Sequence, residues 1–306
     1  MSTTPPSPTH DRPSPIKIWL LASRPRTLPA GVAPVLVGTA LAIHEGTFRV
    51  GAFIAALLGA VFIQVGANLS NDYSDARRGA DTEDRLGPVR VTAGGLVPPR
   101  QVLTATYVSF GLAVACGVYL IIIAGWVILA IGAASILAGV LYTGGPRPYG
   151  YEGLGDVFVF LFFGIVAVTG SYYAQVEHLE WESFALAVPV GLIAAAILAV
   201  NNIRDAPTDA RVDKRTLAVR LGRGRARDIY AIEIYFAFLI PPIVWGAGGD
   251  VGPWMFLTWL ALPLAVPLVR TVRQHDDGPT LNGALAKTGM LQLVFCVLLG
   301  AGLLLS

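Results

Sequence analysis

The chain has 306 residues, of which 54% are hydrophobic and 14% are charged, and its formal net charge is +2. Soluble domains usually carry about 25% charged residues, so this chain has too few charges to cover a water-facing surface. The small net charge gives no indication of nucleic-acid binding. The two cysteines, Cys116 and Cys296, are too few for a disulfide scaffold or a cysteine-based zinc site.

Long apolar stretches dominate the chain after a short N-terminal segment. Residues 1–15 are rich in Pro, Ser and Thr, and we expect a disordered tail there. A helix that crosses the bilayer needs about 20 mostly apolar residues, and nine stretches meet or approach this length: 27–43, 52–69, 103–124, 126–143, 154–174, 184–203, 229–246, 253–270 and 287–305. The sequence therefore predicts an all-α, polytopic membrane protein, with nine transmembrane helices in one domain over 16–306.

The basic residues predict the orientation of these helices. Of the 22 Lys and Arg residues, all except Arg49 lie in the N-terminal segment or in the connections after spans two, four, six and eight. Basic residues are enriched on the cytoplasmic side of a membrane. We therefore expect a protein of the plasma membrane whose N-terminus and long loops are cytoplasmic and whose C-terminus is outside.

Two similar acidic segments end spans two and six, and each precedes a long connection. An Asn-x-x-x-Asp pattern occurs at Asn68 and Asp72 and again at Asn201 and Asp205. This repetition predicts two four-helix pseudo-repeats plus a ninth helix, arranged around a central cavity.

Residues three and four apart share one face of a helix. Two sets of side chains should therefore converge, namely Asn68, Asp72 and Asp75 in the first segment and Asn201, Asp205 and Asp209 in the second, with Asn71 as a further candidate. Asp81, Glu83 and Asp84 follow the first set. An aspartate at mid-membrane costs about 2.5–3.5 kcal/mol on insertion scales, so matched clusters indicate a function. Carboxylate and amide oxygens suit Mg²⁺ bound to substrate phosphates.

Four segments carry a resemblance to a known family: Ala22–Pro29, Asn71–Asp84, Tyr142–Asp156 and Asn201–Gly222. In these segments the chain resembles the UbiA superfamily of intramembrane aromatic prenyltransferases. Within that superfamily it is most similar to the 1,4-dihydroxy-2-naphthoate polyprenyltransferases of menaquinone synthesis. One departure is Val212-Asp213, where a small residue or Gly is expected.

The resemblance implies roles for individual residues. Asn68, Asp72 and Asp75 would hold one Mg²⁺ bound to the substrate diphosphate, and Asn201, Asp205 and Asp209 would hold the other. Asn71 would be an additional ligand candidate in the first cluster. A bend at Gly144-Gly145-Pro146 would bring Arg147 over the cavity, where it and Lys214 would contact the diphosphate. Arg24 and Arg26 are interpreted as headgroup or topology residues. Aromatic side chains near the span ends would shield an allylic cation; the candidates are Tyr142, Tyr149, Phe158, Phe162, Tyr172 and Tyr173.

The reaction implied is transfer of a polyprenyl group from its diphosphate to 1,4-dihydroxy-2-naphthoate within the bilayer, with loss of diphosphate and CO₂. Other acceptors, such as 4-hydroxybenzoate or homogentisate, or a phosphoribose donor, also fit the acidic clusters. A secondary transporter is the alternative from another class, although transport sites favour the bilayer midplane. The motif of CDP-alcohol phosphotransferases is absent. No oligomeric partner is indicated by the sequence.

Overall fold

The computed structural model describes residues 14–81 and 86–306, and within these ranges the chain is helical without strands. In chain order the helices are α1 Pro15–Ser23, α2 Leu28–His44, α3 Val50–Arg78, α4 Pro99–Ala124, α5 Trp126–Leu141, α6 Gly155–Val176, α7 Trp181–Arg211, α8 Leu217–Leu221, α9 Arg223–Gly246, α10 Pro253–Gln274 and α11 Gly278–Leu305. The expected tail falls almost wholly on residues outside the described ranges, as do Glu83 and Asp84.

The predicted spans are confirmed in the described part of the chain. Eight segments are long and apolar enough to cross a membrane, and α5, with 16 residues, is a shorter apolar helix at the position of the fourth predicted span. The chain is thus a multi-pass membrane protein. Helix α1 was not predicted as a separate element. It ends at Arg24, which has a left-handed backbone, and it exposes Ile16, Trp19 and Leu20, as expected of a helix lying in the membrane interface.

Helices α3 and α7 are longer than the hydrocarbon core requires. They have 29 and 31 residues, which corresponds to about 45 Å at 1.5 Å per residue, against a core of roughly 30 Å. Their polar C-terminal turns can therefore extend past the hydrocarbon. Helix α3 stops at Gly79, whose φ of 68° is left-handed and whose N–H bonds the carbonyl of Ala76, a common helix ending.

Polar contacts show which connections lie at each of the two ends of the helix bundle. At one end Arg78 bonds the α5–α6 connection, Arg204 bonds Asn282 of α11, and Arg227 bonds Asp276. At the opposite end Arg49 pairs with Glu177, and the Asp250 carbonyl contacts the His44 ring. The connections after α3, α5, α7 and α10 thus lie together, as the alternation of the spans requires. The C-terminal turns of α3 and α7 lie at this first end, which we call the basic end.

The packing follows the predicted repeat. The most extensive helix contacts join α3 to α4 and α7 to α9, which occupy equivalent places in the two units. Helices α2, α6, α7, α9, α10 and α11 share one continuous buried core. Gly164 of α6 and Gly191 of α7 let two backbones meet, because a Cβ on Gly164 would lie 2.5 Å from the Gly191 Cα. Helices α3 and α4 are less buried than α7, and with α5 they border a cavity.

This arrangement predicts which loops react from the same side of the membrane. In a chain whose own Cys116 and Cys296 are replaced by alanine, cysteines at Ala93 and Arg225 should react from one side. Cysteines at Phe48 and Ala247 should react only from the other side. All four positions are exposed, so an impermeant maleimide added to sealed vesicles measures the result. Labelling of all four from one side would contradict the bundle described here.

Candidate active site

A cavity of about 490 Å³ lies between α2, α3, α4, α5, α6 and α7, with one contribution from α11, Leu285. Its body is apolar, lined by side chains such as Val35, Ile63, Ile128 and Phe162. Polar side chains gather where the cavity meets the basic end; they are Arg24, Asn68, Asn71, Asp75, Arg90, Asn201 and Lys214. The cavity therefore has an apolar chamber and a mouth that carries both oxygen ligands and cations.

Aromatic rings form a continuous row along one wall of the chamber. Tyr142 and Tyr149 meet edge to face with centroids 5.4 Å apart, Tyr149 stacks on Phe158 at 4.0 Å, and Phe158 faces Phe162 at 6.1 Å. These four predicted residues line the cavity. Tyr172 does not, because it is fully buried at the opposite end and donates to Glu45 at 2.6 Å. Tyr173 packs instead against a small cluster of side chains from α3, α4, α5 and α6.

The first acidic segment meets a guanidinium at the mouth. Asp75 is 2% exposed, and its Oδ2 lies 3.5 Å from Arg90 Nη2, while Arg90 Nε lies 3.6 Å from Asp81 Oδ1. Two buried N–H groups of Arg90, at Nε and Nη1, have no hydrogen-bond acceptor among the described residues. Buried donors are almost always satisfied. Arg90 thus keeps donors available for an anion that enters the mouth.

Asp72 faces the loop after α3 rather than the cavity. Its Oδ2 accepts from the Val91 N–H at 3.1 Å and its Oδ1 from the Thr92 N–H at 2.9 Å. Asn68, Asn71, Asp72 and Asp75 form one polar stripe along α3. At 100° per residue, Asp72 lies at one edge of this stripe, and Asn68 separates it from Asp75 and Asn71. Asp72 therefore fixes the backbone next to Arg90, and each of its oxygens keeps one lone pair for a further ligand.

The second segment is built around a fully buried arginine. Arg204 is 1% exposed and holds Asp205 in a two-point pair, Nε to Oδ1 at 2.7 Å and Nη2 to Oδ2 at 2.5 Å. Its Nη2 also donates to Asn201 at 2.7 Å, and its Nη1 to Asn282 at 2.5 Å. Of this segment Asn201 lines the cavity, whereas Asp205 lies behind it. Asp209 reaches the mouth through Lys214, whose Nζ lies 3.6 Å from Asp209 Oδ1.

The loop between α5 and α6 closes over the mouth. Asn71 accepts from the Thr143 hydroxyl at 3.0 Å, and Arg78 donates to the carbonyls of Thr143 and Gly145. The bend expected here exists, since Gly145 has a φ of 75°. It does not bring Arg147 over the cavity: this side chain is exposed and is not among the cavity-lining residues, whereas Lys214 is.

Several residues of the mouth were not predicted as site residues. Arg90 and Arg24 were assigned to topology, yet both line the cavity, while Arg26 is exposed. Tyr151 was not singled out, although its hydroxyl donates to Asp75 Oδ1 at 2.9 Å. Burial and the nearby Asp75 carboxylate raise the pKa of this phenol above its usual range, so at neutral pH the hydroxyl is a donor. Asp213 occupies a left-handed position with φ 55°, which explains why Gly was expected there.

The donor atoms at the mouth fit a hard divalent cation that arrives with a phosphate ligand. No three His, Cys, Asp or Glu side chains in the described ranges are close enough to form a metal site by themselves. Mg²⁺ is commonly bound through one or two carboxylates plus substrate phosphates. Asp75 supplies a carboxylate at the mouth, and the Asn68, Asn71 and Asn201 amides stand beside it.

Together these features define a membrane-embedded apolar chamber whose mouth carries carboxylate, amide and cationic side chains. The UbiA prenyltransferase family model matches residues 31–285. A 1,4-dihydroxy-2-naphthoate octaprenyltransferase of Mycobacterium tuberculosis is 40% identical over 93% of this chain and 96% of its own. The Escherichia coli enzyme of the same name is 36% identical over 97% and 98%.

Among solved structures, a UbiA homolog from Archaeoglobus fulgidus bound to DMAPP and Mg²⁺ shares the fold. Its TM-score is 0.67 at 14% identity, with 94% of this chain and 98% of that chain covered. The chain belongs to the UbiA prenyltransferase family, as the four sequence segments indicated. Family membership decides against the transporter alternative.

The buried pair of Arg204 and Asp205 generates a stability prediction. Arg204→Ala should lower the free energy of unfolding by about 3–5 kcal/mol, because it leaves a carboxylate buried without its partner. Arg273→Ala is the matched control, since the pair of Arg273 with Asp228 is 51% and 64% exposed and such pairs contribute little. Equilibrium unfolding in mixed micelles measures both. Equal losses in the two variants would contradict the buried pair.

Proposed function

We propose that this protein transfers a polyprenyl group from polyprenyl diphosphate to 1,4-dihydroxy-2-naphthoate, releasing diphosphate and CO₂ and giving demethylmenaquinol, a step of menaquinone synthesis. The names of the relatives support the acceptor and the class of donor. The observation that carries the proposal is the cavity itself, an apolar chamber whose mouth joins Asp75, Arg90 and Lys214.

The mouth would bind the diphosphate. Arg90 offers two buried N–H groups and Lys214 a charge, and charge-assisted bonds to phosphate oxygens are among the stronger ones in proteins. Asp75, with Asn68, Asn71 and Asn201, would hold Mg²⁺ from the cavity side. Asp72, Asp205 and Asp209, which do not line the cavity, are the remaining predicted ligands. When bound, the metal supplies Lewis-acid assistance to departure of the diphosphate. Arg147 remains a predicted contact that would have to turn inward.

The chamber would hold the prenyl chain and protect its reactive end. The row of Tyr142, Tyr149, Phe158 and Phe162 presents ring faces and edges to the C1 end of the chain, where positive charge develops as the C–O bond breaks. Aromatic faces stabilise cations, and the apolar walls exclude the water that would otherwise capture the allylic cation.

Attack by the electron-rich ring of the acceptor then forms the new carbon–carbon bond. If the attacking carbon is the one that bears the carboxylate, that carbon regains aromaticity by releasing CO₂, and no proton has to leave it. The chain's part in this step is to keep the two substrates together in a space without water, which converts a bimolecular step into an effectively unimolecular one.

The orientation and extent of the enzyme complete the proposal. The basic end carries all the described Lys and Arg residues except Arg49, so it would face the cytoplasm of a cell whose plasma membrane holds the protein, with the C-terminus outside. Residues 16–306 would form the single transmembrane domain, preceded by a tail over 1–15.

Asp75→Asn tests the role of the mouth in catalysis. The change keeps the size of the side chain and removes the charge that would face the metal, so prenyl transfer at fixed Mg²⁺ should fall by about a hundredfold or more. Asp213→Asn is the matched control, because Asp213 is 82% exposed and asparagine tolerates its left-handed backbone. Radiolabelled prenyl diphosphate and protein in lipid give the rates. Equal activity of the two variants would refute the role given to Asp75.

A carboxyl-labelled acceptor tests the choice of acceptor. With 1,4-dihydroxy-2-naphthoate labelled at its carboxylate, we expect one labelled CO₂ for each prenyl group transferred. Prenylation of 4-hydroxybenzoate beside its hydroxyl would keep the carboxylate, so this acceptor serves as the comparison in a competition assay. A prenylated naphthoate that retains its label, or a clear preference for 4-hydroxybenzoate, would overturn the assignment and leave the family membership intact.

A further inference from the structure

Tyr151 contacts both halves of the candidate site. It lies in the turn Tyr149–Tyr151 of the α5–α6 connection, outside the membrane-spanning helices. Its hydroxyl donates to Asp75 Oδ1 at 2.9 Å, so it bonds the acidic segment of the first repeat. Its carbonyl accepts from the Arg215 N–H at 3.0 Å, and Lys214 Nζ lies 5.4 Å from the centre of its ring. These last contacts come from the segment that follows α7, in the second repeat.

Tyr151 itself occupies one oxygen of Asp75 and none of the N–H donors of Lys214. The hydroxyl engages one oxygen of Asp75, and the other oxygen faces Arg90 at 3.5 Å. The Lys214 ammonium lies over the face of the Tyr151 ring. The ring face attracts this cation without accepting a conventional hydrogen bond from any of the three N–H donors of the lysine. Arg78 lies over the same ring at 5.8 Å and is bonded to the loop carbonyls. Tyr151 therefore fixes a carboxylate and an ammonium at the same time.

We propose that Tyr151 is a positioning residue that orients Asp75 for the divalent cation and Lys214 for the diphosphate, and so couples the two repeats at the mouth. This inference rests on the proposed function of the same site. Groups that orient the ligands of a metal typically change its affinity by 10–100-fold when they are removed. The hydroxyl should thus act on the affinity for the metal, and the ring on the affinity for the prenyl diphosphate.

Two variants separate these contributions. Tyr151→Phe removes only the bond to Asp75 and keeps the ring under Lys214, so the half-saturating Mg²⁺ concentration should rise about tenfold, while kcat at saturating Mg²⁺ stays within about threefold. Tyr151→Leu also removes the ring and should in addition raise the KM for prenyl diphosphate. The control is Tyr73→Phe on α3, where the hydroxyl bonds Arg77 and the ring carries the Arg77 guanidinium, away from the cavity.

The decisive readout is metal binding to the protein saturated with a non-cleavable prenyl thiodiphosphate, because the cation needs a phosphate ligand beside the protein groups. Mn²⁺ titration followed by electron paramagnetic resonance should show weaker binding to Tyr151→Phe than to the wild type and to Tyr73→Phe, at unchanged thermal stability without metal. Equal Mn²⁺ affinity and equal Mg²⁺ dependence in all three proteins would overturn the role of Tyr151. A parallel fall in kcat, stability and yield, with the metal dependence unchanged, would also overturn it. A wild type that neither binds Mn²⁺ nor transfers a prenyl group would instead refute the proposed function.

Discussion

The bilayer interior offers no water to charged groups, and this constraint decides where the site can be. A diphosphate and its counter-ions cannot be held at mid-membrane without a large desolvation cost, whereas an apolar polyprenyl chain partitions readily into the hydrocarbon core. Helices α3 and α7 meet both demands because they are long enough to carry an apolar body through the core and a polar turn beyond it. The cavity follows the same division, with its cations and amides at the basic end and its aromatic row below them.

The aspartates of the two segments have different roles, because each buried charge has a different partner. Asp72 holds the backbone of the loop that delivers Arg90, and Asp205 is neutralised by Arg204, which in turn orients Asn201. Asp75 and Lys214 reach the mouth. A buried carboxylate needs a partner. Asp72 and Asp205 find theirs in the loop backbone and in Arg204, whereas Asp75 pairs with Tyr151 and Arg90 and also lines the cavity. The two similar sequence segments thus form one site, in which Asp72 and Arg204 with Asp205 position the side chains that line the mouth.

The hydropathy of the sequence was sufficient to predict the spans, and the acidic segments were sufficient to predict which ends of which helices meet. The helical period placed Asn68, Asp72 and Asp75 on one stripe but could not tell which edge of the stripe faces a cavity, because that depends on how α3 packs against α4 and α5. Arg90 and Tyr151 lie in connections, where no periodicity marks a functional side chain. Arg147 was predicted inward from a bend that exists, yet its side chain is exposed and lies outside the cavity lining.

The central claim is that the mouth at the basic end binds the diphosphate while the chamber holds the prenyl chain. A structure of the protein in lipid nanodiscs with Mg²⁺ and a non-cleavable prenyl thiodiphosphate tests it most directly. We expect density for two phosphate groups within hydrogen-bond distance of Arg90 and Lys214, beside Asp75, with the chain running along Tyr149, Phe158 and Phe162. Density for the phosphates at the opposite end, near Glu45 and His178, or outside the cavity, would contradict the account.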